Sequence, residues 1–259
     1  MIFFIKKILK SNISLIILAE KISTFFNINF EQEYKIVKFI KNPIIFDIGA
    51  HKGESIVNFL KQNKNSLIYS FEPNIHTYKI LKKKFCKNNK IKIYNYAISK
   101  KKLLFLYIPK IYFFYLTLWA SFDKKFLIDR WKKFTSIKIN KIKIIKIKIK
   151  SISMDSIKIL PNLLKIDTEG AELEVIKSGI KLIKRNTPVI ILEFNKNNFF
   201  KIKNILTKYN YQIYKFDFSQ RALIKITKKD EYESFKKNNS HNFIFYNSKT
   251  RIINGINLK

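Results

Sequence analysis

Four short apolar runs, each next to a proline, constrain the fold of this chain more than any other feature of the sequence. Pro43 precedes IIFDIG, Pro73 follows LIYSFE, Pro161 precedes LLKIDTEG and Pro188 precedes VIILEFN. Proline is poorly tolerated inside a central strand but is common at its ends. Runs that are apolar throughout are typical of strands buried on both faces, as in a parallel sheet. The four runs are therefore predicted to be buried parallel strands.

Stretches with helical periodicity separate these runs. Apolar residues recur at helical spacing in 54–61, 74–85 and 171–183, which predicts three amphipathic helices. A further strand is predicted at 91–98. Because strands alternate with helices, we expect an α/β fold, with a mostly parallel, twisted sheet flanked by helices.

The part of the chain between residues 103 and 152 interrupts this alternation. It begins with an aromatic-rich piece and ends with KIKIIKIKIKSIS, in which Ile and Lys nearly alternate. This period of two predicts a half-exposed strand whose lysines discourage edge-to-edge pairing, and a stripe for nucleic acid is the alternative. We interpret the segment as a variable insertion that covers the active face. Beyond it, the pattern predicts a helix at 199–209 and antiparallel strands near the C-terminus, at 211–216, 222–227 and 242–246.

The formal charge of +34 is extreme, but it is weak evidence for a nucleic-acid partner. Only four of the 52 basic residues are Arg, whereas nucleic-acid readers favour Arg because its planar fork matches phosphates and guanine edges. The excess of Lys, together with many Ile and Asn, is what an AT-rich genome produces. A nucleic-acid partner is therefore not expected, although the charge permits loose binding to anionic surfaces. The single cysteine, Cys86, excludes an internal disulfide.

Residues 1–40 are predicted to form a helical extension packed on the main domain, which spans 41–259. The opening sequence MIFFIKKILK is apolar and basic, and charged residues interrupt the segment too often for a bilayer span. The alternative is an interfacial helix that contacts the inner face of the membrane. We expect a cytoplasmic location, with or without that peripheral contact.

The turn after the first run combines two glycines with an acid. In IIFDIGAHKGES, Gly49 and Gly53 follow Asp47, although the whole chain contains only five glycines. Glycines at this place allow a tight turn and a close approach to a ligand at a helix N-terminus. The spacing lacks both the third glycine of a dinucleotide-binding fingerprint and the Gly-Lys-Ser/Thr of a phosphate loop. Because the acid suits a cofactor with a positive amino group, the loop favours S-adenosylmethionine.

Three further acids end the other runs. Glu72 ends the second run, where an acid can accept hydrogen bonds from ribose hydroxyls. Asp167 and Glu193 end the third and fourth runs. The carboxyl edge of an open α/β sheet is where ligands bind. Three glutamates follow Asp167 within a few residues, and capping of a helix N-terminus explains part of that cluster equally well.

These motifs resemble those of the FkbM-type methyltransferases. The segments FDIGAHKGES, YSFEPN, NYAIS, LLKIDTEGAELEVIKSG and PVIILEFN occur between about residues 44 and 195, in the family's order. The resemblance implies a Rossmann-like fold, S-adenosylmethionine as methyl donor, and O-methylation of sugars, glycolipids or secondary metabolites. A role in polysaccharide biosynthesis, with a small-molecule or glycan acceptor, is the corresponding expectation.

The resemblance also implies which residues bind the cofactor. By position, Asp47, Gly49, Ala50 and Gly53 would hold the methionine part, and Glu72 the ribose. His51 stands where Asn is more usual in the family. Further candidates for cofactor contact from the same motifs are His51, Pro73, Asn74, Ala97 and Asp167.

Methyl transfer to a hydroxyl requires an aligned acceptor and a base that removes its proton. The candidate bases are Asp167 first, then Glu193, Glu169 and His51. A carboxylate crowded by other acids is expected to have a raised pKa, which suits a base near neutral pH. No metal ligand is assigned, and a Mg²⁺ ion held by Asp167, Glu169 and Glu193 is the alternative.

Two other functions compete with this interpretation. One is an RNA or DNA methyltransferase that uses the basic surface. An enzyme that methylates amino groups would be expected to carry an Asn/Asp-Pro-Pro-aromatic loop after the strand LLKID, and the chain contains no Pro-Pro. The other is a non-enzymatic accessory domain of glycan assembly, which would not bind S-adenosylmethionine.

Overall fold

The computed structural model describes residues 13, 14, 16–18, 32–194, 198–227, 242–250 and 255–259. Most of the predicted N-terminal extension, including its alternative as an interfacial helix, therefore lies outside the described residues. Within the described ranges, no helix has both the length and the apolar character needed to cross a bilayer.

Strands and α-helices alternate in 44–94 and again in 163–217, whereas elsewhere some strands follow one another directly. The strands are β1 (Ile44–Ile48), β2 (Leu67–Phe71), β3 (Ile91–Tyr94), β4 (Ala97–Ile98), β5 (Leu103–Ile111), β6 (Phe114–Tyr115), β7 (Lys143–Ile152), β8 (Leu163–Ile166), β9 (Val189–Glu193), β10 (Tyr211–Asp217), β11 (Ala222–Lys225), β12 (Asn242–Asn247) and β13 (Asn257–Leu258). The α-helices are α1 (Glu54–Gln62), α2 (Ile75–Phe85), α3 (Lys124–Phe134), α4 (Glu172–Ser178), α5 (Ile180–Asn186) and α6 (Phe199–Thr207). Short 3₁₀ helices span Gln32–Phe39, Thr117–Trp119, Ile139–Lys141 and Met154–Ser156.

The main sheet has nine strands in the order β13-β11-β10-β12-β9-β8-β1-β2-β3. Strands β9, β8, β1, β2 and β3 pair in parallel, and β12 runs antiparallel to both of its neighbours. This arrangement confirms the predicted Rossmann-like sheet with antiparallel strands near the C-terminus. The strand order reverses between β1 and β8, and ligands bind beside the carboxyl ends of strands at such a point.

Two apolar cores cover the two faces of the main sheet, because successive residues of a strand point to opposite sides. Ile45 of β1 packs in one core with Phe59 of α1 and Leu81 of α2. The next residue, Phe46, packs in the other core with Phe199 of α6. Burial on both faces explains why these runs are apolar throughout.

Two predicted elements are each divided in the structure. The helix predicted at 171–183 is wrong as a single element, because Gly179 separates α4 from α5 and the Met154 side chain fills the space of its missing Cβ. The strand predicted at 91–98 is also wrong as a single element, since β3 and β4 belong to different sheets. Between them, the Asn95 amide donates hydrogen bonds to the carbonyl groups of Glu72 and Pro73, which draws the chain across the end of β2.

The segment 103–152 forms most of a second, four-stranded sheet in the order β4-β7-β5-β6. Its centre is the antiparallel ribbon of β5 and β7. The alternation of Ile and Lys is confirmed as a strand, because Ile147 and Ile149 pack in an apolar cluster while Lys146 and Lys148 are exposed. Helix α3 follows the β5–β6 hairpin along the chain.

Candidate functional site

Four acids lie at the carboxyl ends of four adjacent strands, as the sequence predicts. Asp47 lies in β1, Glu72 directly follows β2, Asp167 follows β8 and Glu193 ends β9. Since the strand order is β9-β8-β1-β2, the acids form one row along this edge. The row crosses the point between β1 and β8 where the strand order reverses, so it occupies the usual ligand position of such a sheet.

The Gly49 loop lies directly against the end of β8. Gly49 has a φ of +83°, and a Cβ atom added there would lie 1.7 Å from the backbone oxygen of Asp167. Gly53 has a φ of +88° at the start of α1, and its added Cβ would lie 2.5 Å from Cε2 of Phe85. Both glycines are therefore required by close contacts within the chain, and the loop is held beside Asp167.

The Glu72 carboxylate is buried and held by two backbone groups. Its Oε2 accepts the N–H of His51 at 2.8 Å, and its Oε1 accepts the N–H of Asn74 at 2.8 Å. Burial raises the pKa of Glu72, although these hydrogen bonds lower it. A carboxylate has about four lone-pair sites, so Glu72 keeps acceptor capacity for the two ribose hydroxyls of the predicted cofactor.

A cavity of about 220 Å³ joins three predicted cofactor residues. Gly49, Pro73 and Ala97 line it, together with Phe71 and other residues of the strand ends. Asn74 caps α2 by accepting the N–H of His76 at 3.0 Å. Within the part of the chain that the structure describes, the buried Nδ2 of Asn74 has no hydrogen-bond partner. Asn74 is not among the residues that line the cavity, whose wall is mainly apolar. A mainly apolar wall is typical of a ligand site, and Gly49, Pro73 and Ala97 fit the predicted cofactor.

The His51 side chain is directed to two partners outside the row of acids. Its Nε2 lies 3.0 Å from Oγ1 of Thr117, and its Nδ1 lies 3.6 Å from Oε1 of Glu54. The structure thus ties His51 to the segment 103–152 and to α1. Its role as a base or cofactor contact stays a prediction.

Lys165 is a site residue that the sequence reasoning did not identify. Its Nζ donates to the carbonyl oxygen of Gly49 at 2.7 Å and lies 3.4 Å from Oδ1 of Asp47 and 3.3 Å from Oδ2 of Asp167. Asp47 is fully buried, and its Oδ2 accepts the hydroxyl of Ser55 at 2.7 Å. The cation beside Asp47 is therefore a lysine of the chain itself. A lysine inside the apolar run LLKID is the sequence signal, but abundant lysine elsewhere conceals it.

Replacing Lys165 by Met is expected to destabilise the protein by about 3–5 kcal/mol, because it leaves the buried Asp47 without its cation. Burial already raises the pKa of Asp47 against Lys165, and losing Lys165 raises it further. A raised pKa in the folded state makes stability fall as the pH rises from the ordinary Asp value to the folded value, so the loss should be larger at neutral pH than near pH 4. Urea unfolding measures it. The double variant Lys165→Met/Asp47→Asn is the control and should recover much of the loss, whereas an unchanged Lys165→Met would contradict the ion pair.

The pKa values of Asp167 and Glu193 shift in opposite directions, and a hydrogen bond between the two carboxyl groups contributes to both shifts. Burial opposes ionisation of Asp167, but Lys165 and the Glu193 hydrogen bond outweigh it and hold the pKa of Asp167 below its usual value. Burial raises the pKa of Glu193 well above its usual value, and Asp167 and Glu169 add to the effect. The expectation of a raised pKa is thus wrong for Asp167 and right for Glu193. In this pair the lowered pKa belongs to Asp167 and the raised pKa to Glu193.

The segment 103–152 contacts the loop that follows Asp167. Nη1 of Arg130 donates to Oε2 of Glu169 at 2.6 Å, and the Arg130 guanidinium lies 5.3 Å from the centre of the Trp119 ring. Burial raises the pKa of Glu169 to about 7 and Asp167 adds to this, while Arg130 opposes it. Arg130 and Trp119 are further candidates that the sequence did not reveal.

Part of the acidic cluster has a structural role, as one interpretation of the sequence proposed. Glu172 is fully buried, and its Oε1 accepts hydrogen bonds from the N–H and hydroxyl of Thr168 and from the N–H of Gly170. It therefore fixes the loop that follows Asp167. Within the described ranges, no three His, Cys, Asp or Glu side chains are grouped to hold a metal ion.

Comparison with known proteins gives a family match over most of the chain. The model of the methyltransferase FkbM domain matches residues 47–213, and no curated protein matches the sequence. An FkbM methyltransferase from Methylobacillus flagellatus KT is 15% identical with a TM-score of 0.48, and the match covers 79% of this chain but only 43% of that one. The chain thus spans less than half of that protein's length.

Two other solved structures are similar at lower identity. A TehB-like SAM-dependent methyltransferase from Corynebacterium glutamicum is 8% identical with a TM-score of 0.42, covering 85% of this chain and 89% of that one. Fibrillarin from Aeropyrum pernix, in complex with S-adenosyl-L-methionine, is 8% identical with a TM-score of 0.43, covering 83% and 73%.

Proposed function

Because the chain belongs to the FkbM methyltransferase family, we propose that it methylates a hydroxyl group of a sugar, glycan or glycolipid precursor. The protein is an S-adenosylmethionine-dependent methyltransferase. Bound S-adenosylmethionine supplies an electrophilic methyl group on a positively charged sulfur. The residues that fit it are Gly49, Pro73 and Ala97 in the cavity wall and Glu72 as acceptor for the ribose hydroxyls.

The contact between the Gly49 loop and Asp167 is the observation that carries this proposal. Lys165 Nζ lies 2.7 Å from the carbonyl oxygen of Gly49 and 3.3 Å from Oδ2 of Asp167, which supports a carboxylate beside the loop that would hold the methionine part of the cofactor. A hydroxyl becomes a nucleophile as its proton leaves, and a nearby carboxylate accepts that proton. In this proposal Asp167 is the base, and Glu193, whose pKa is raised, holds the Asp167 carboxylate in place through their hydrogen bond.

Residues of the segment 103–152 support a sugar-like acceptor. Trp119 offers an aromatic ring, and Arg130 offers a charged group that contacts this ring. Arg130 also binds Glu169, which lies two residues after Asp167 in the sequence. Pockets that combine aromatic walls with a few oriented polar groups suit ligands rich in hydroxyl groups. The acceptor would lie between these side chains and Asp167.

Transfer of a tritiated methyl group from S-adenosylmethionine tests the proposal. The purified protein is incubated with monosaccharides, nucleotide sugars, glycolipid extracts and total RNA, and the label is followed into each class. We expect base-stable label, typical of a methyl ether, in a sugar-containing acceptor. Label in RNA alone would overturn the choice of acceptor. Binding of S-adenosylhomocysteine without transfer to any class would favour an accessory domain.

A further inference from the structure

The hairpin between β5 and β6 exposes a group of aromatic side chains. Its two-residue loop is Tyr112–Phe113, because Ile111 pairs with Phe114. Tyr112 is 74% exposed, Phe113 is 89% exposed and Phe114 is 39% exposed. Contiguous apolar groups on a protein surface mark interaction sites far more often than single exposed residues do.

The backbone of Tyr112 has a conformation that tyrosine rarely adopts. Tyr112 has a φ of 50°, a left-handed conformation that two-residue hairpin loops usually give to Gly, Asn or Asp. The chain is rich in Asn, so a better turn residue is common in its composition. Since Tyr112 and Phe113 are mostly exposed, they contribute little packing within the fold. Strain without a packing benefit indicates a function outside the fold.

The outer face of the β5–β7 ribbon also carries apolar side chains, and lysines lie beside them. In the antiparallel register, Leu103 pairs with Lys150, Phe105 with Lys148 and Tyr107 with Lys146, so apolar side chains of β5 lie beside lysines of β7. The whole segment 103–152 contains 11 Lys and one Arg against two Asp. This ribbon therefore presents an apolar tip within a strongly cationic surface.

We propose that this hairpin tip and the lysine face of the ribbon dock the protein on an anionic phospholipid bilayer. Aromatic rings favour the interfacial layer of a membrane, and lysines extend their ammonium groups to anionic headgroups. The described part of the N-terminal segment lies next to this hairpin, because Ile16 is buried in one apolar cluster with Ile111 and Leu116 at the base of the hairpin.

The ring contacts favour a bilayer over a nucleic acid. A strand of nucleic acid would use open ring faces for base stacking. Lys146 Nζ already lies 3.9 Å from the centre of the Phe105 ring, and His76 stacks on the Tyr115 ring at 3.8 Å. The most exposed rings, those of Tyr112 and Phe113, lie together at the end of a hairpin, which suits insertion into an interface.

The docked tip would also place the site near the membrane. Tyr115 contacts His76 of α2, and Thr117 contacts His51 of the Gly49 loop. If the proposed function holds, the acceptor is then a sugar carried on a lipid. This last step rests on the proposed function, whereas bilayer docking itself does not.

Vesicle flotation of the full chain tests the docking surface. The vesicles are phosphatidylcholine with one third phosphatidylglycerol, and pure phosphatidylcholine is the comparison. We expect binding to the anionic vesicles, weakened by salt. The variant Tyr112→Gly/Phe113→Asn, which supplies favoured turn residues, should lower vesicle affinity by at least about tenfold with an unchanged or higher melting temperature. Lys146→Gln/Lys148→Gln/Lys150→Gln should weaken binding to anionic vesicles only.

The control is Phe200→Asn, which removes an exposed aromatic ring on α6 and should leave vesicle binding unchanged. Equal flotation of the tip variant and the wild type would overturn the proposal. So would loss of a concentration-dependent dimer, or of RNA binding, in the tip variant without any effect on vesicles. Flotation needs neither methyl donor nor acceptor, so its failure and that of the proposed function are distinguishable.

Discussion

Asp167→Asn is expected to lower the turnover of methyl transfer by about a thousandfold while leaving affinity for S-adenosylhomocysteine within about threefold. The amide keeps the size of the carboxylate but cannot accept the acceptor's proton. The nearby backbone of residue 167, which contacts the Gly49 loop, is unchanged by the substitution. Single-turnover measurement of labelled methyl transfer checks the rate, and calorimetry checks the affinity.

Glu174→Gln is the matched control, because Glu174 belongs to the same acidic stretch but lies on α4, outside the row of acids. It is expected to retain most of the turnover. A fully active Asp167→Asn would contradict the assignment of the base.

The pH dependence of turnover distinguishes Asp167 from Glu193 as the base. The pKa of Asp167 is held below its usual value, mainly by Lys165 acting against burial. A base must be deprotonated, so with Asp167 the rate should stay level as the pH falls from neutral to about 5. The pKa of Glu193 is raised by burial and by Asp167. If Glu193 were the base, the rate would fall as the pH drops through that raised pKa.

Gly49→Ala is expected to reduce affinity for S-adenosylhomocysteine by at least about a hundredfold, equivalent to about 3 kcal/mol. The added Cβ would lie 1.7 Å from the Asp167 backbone oxygen, so either the loop or the end of β8 must move. The φ of +83° adds strain of about 1–2 kcal/mol for a residue with a Cβ atom.

Gly255→Ala separates these two effects. Gly255 also has a positive φ, of +72°, but among the residues that the structure describes no atom lies within 4 Å of its added Cβ. It should show the strain as a small loss of stability and leave cofactor affinity unchanged. Circular dichroism confirms that each variant is folded before titration. Equal affinity of Gly49→Ala and the wild type would contradict the position of the cofactor loop.

The main sheet could be predicted because its strands are buried on both faces. Proline at the ends of the runs and unbroken apolar sequence inside them both follow from that burial. The row of acids could also be predicted, since the carboxyl ends of parallel strands meet at one edge. The division of the strand predicted at 91–98 could not, because it depends on Asn95 bonding to carbonyl groups at the end of β2.

The electrostatics of the site could not be predicted because they depend on register. Asp47 of β1 pairs with Lys165 of β8, and Asp167 lies two residues beyond Lys165 and so points to the same side. These positions are far apart along the chain, and nothing in either run fixes their pairing. Without Lys165, crowding by acids predicts a raised pKa for Asp167. With Lys165 in place, the raised pKa falls on Glu193 instead.

The most direct test of the central claim is calorimetric titration of the full chain with S-adenosylhomocysteine. The site described above predicts one molecule bound per chain with a dissociation constant of about 1–100 µM, and a higher melting temperature in its presence. Glu72→Ala, which removes the acceptor for the ribose hydroxyls, should weaken that binding by at least about tenfold. Absence of both heat and thermal shift with the folded wild-type protein would contradict a methyl-donor site at this edge of the sheet.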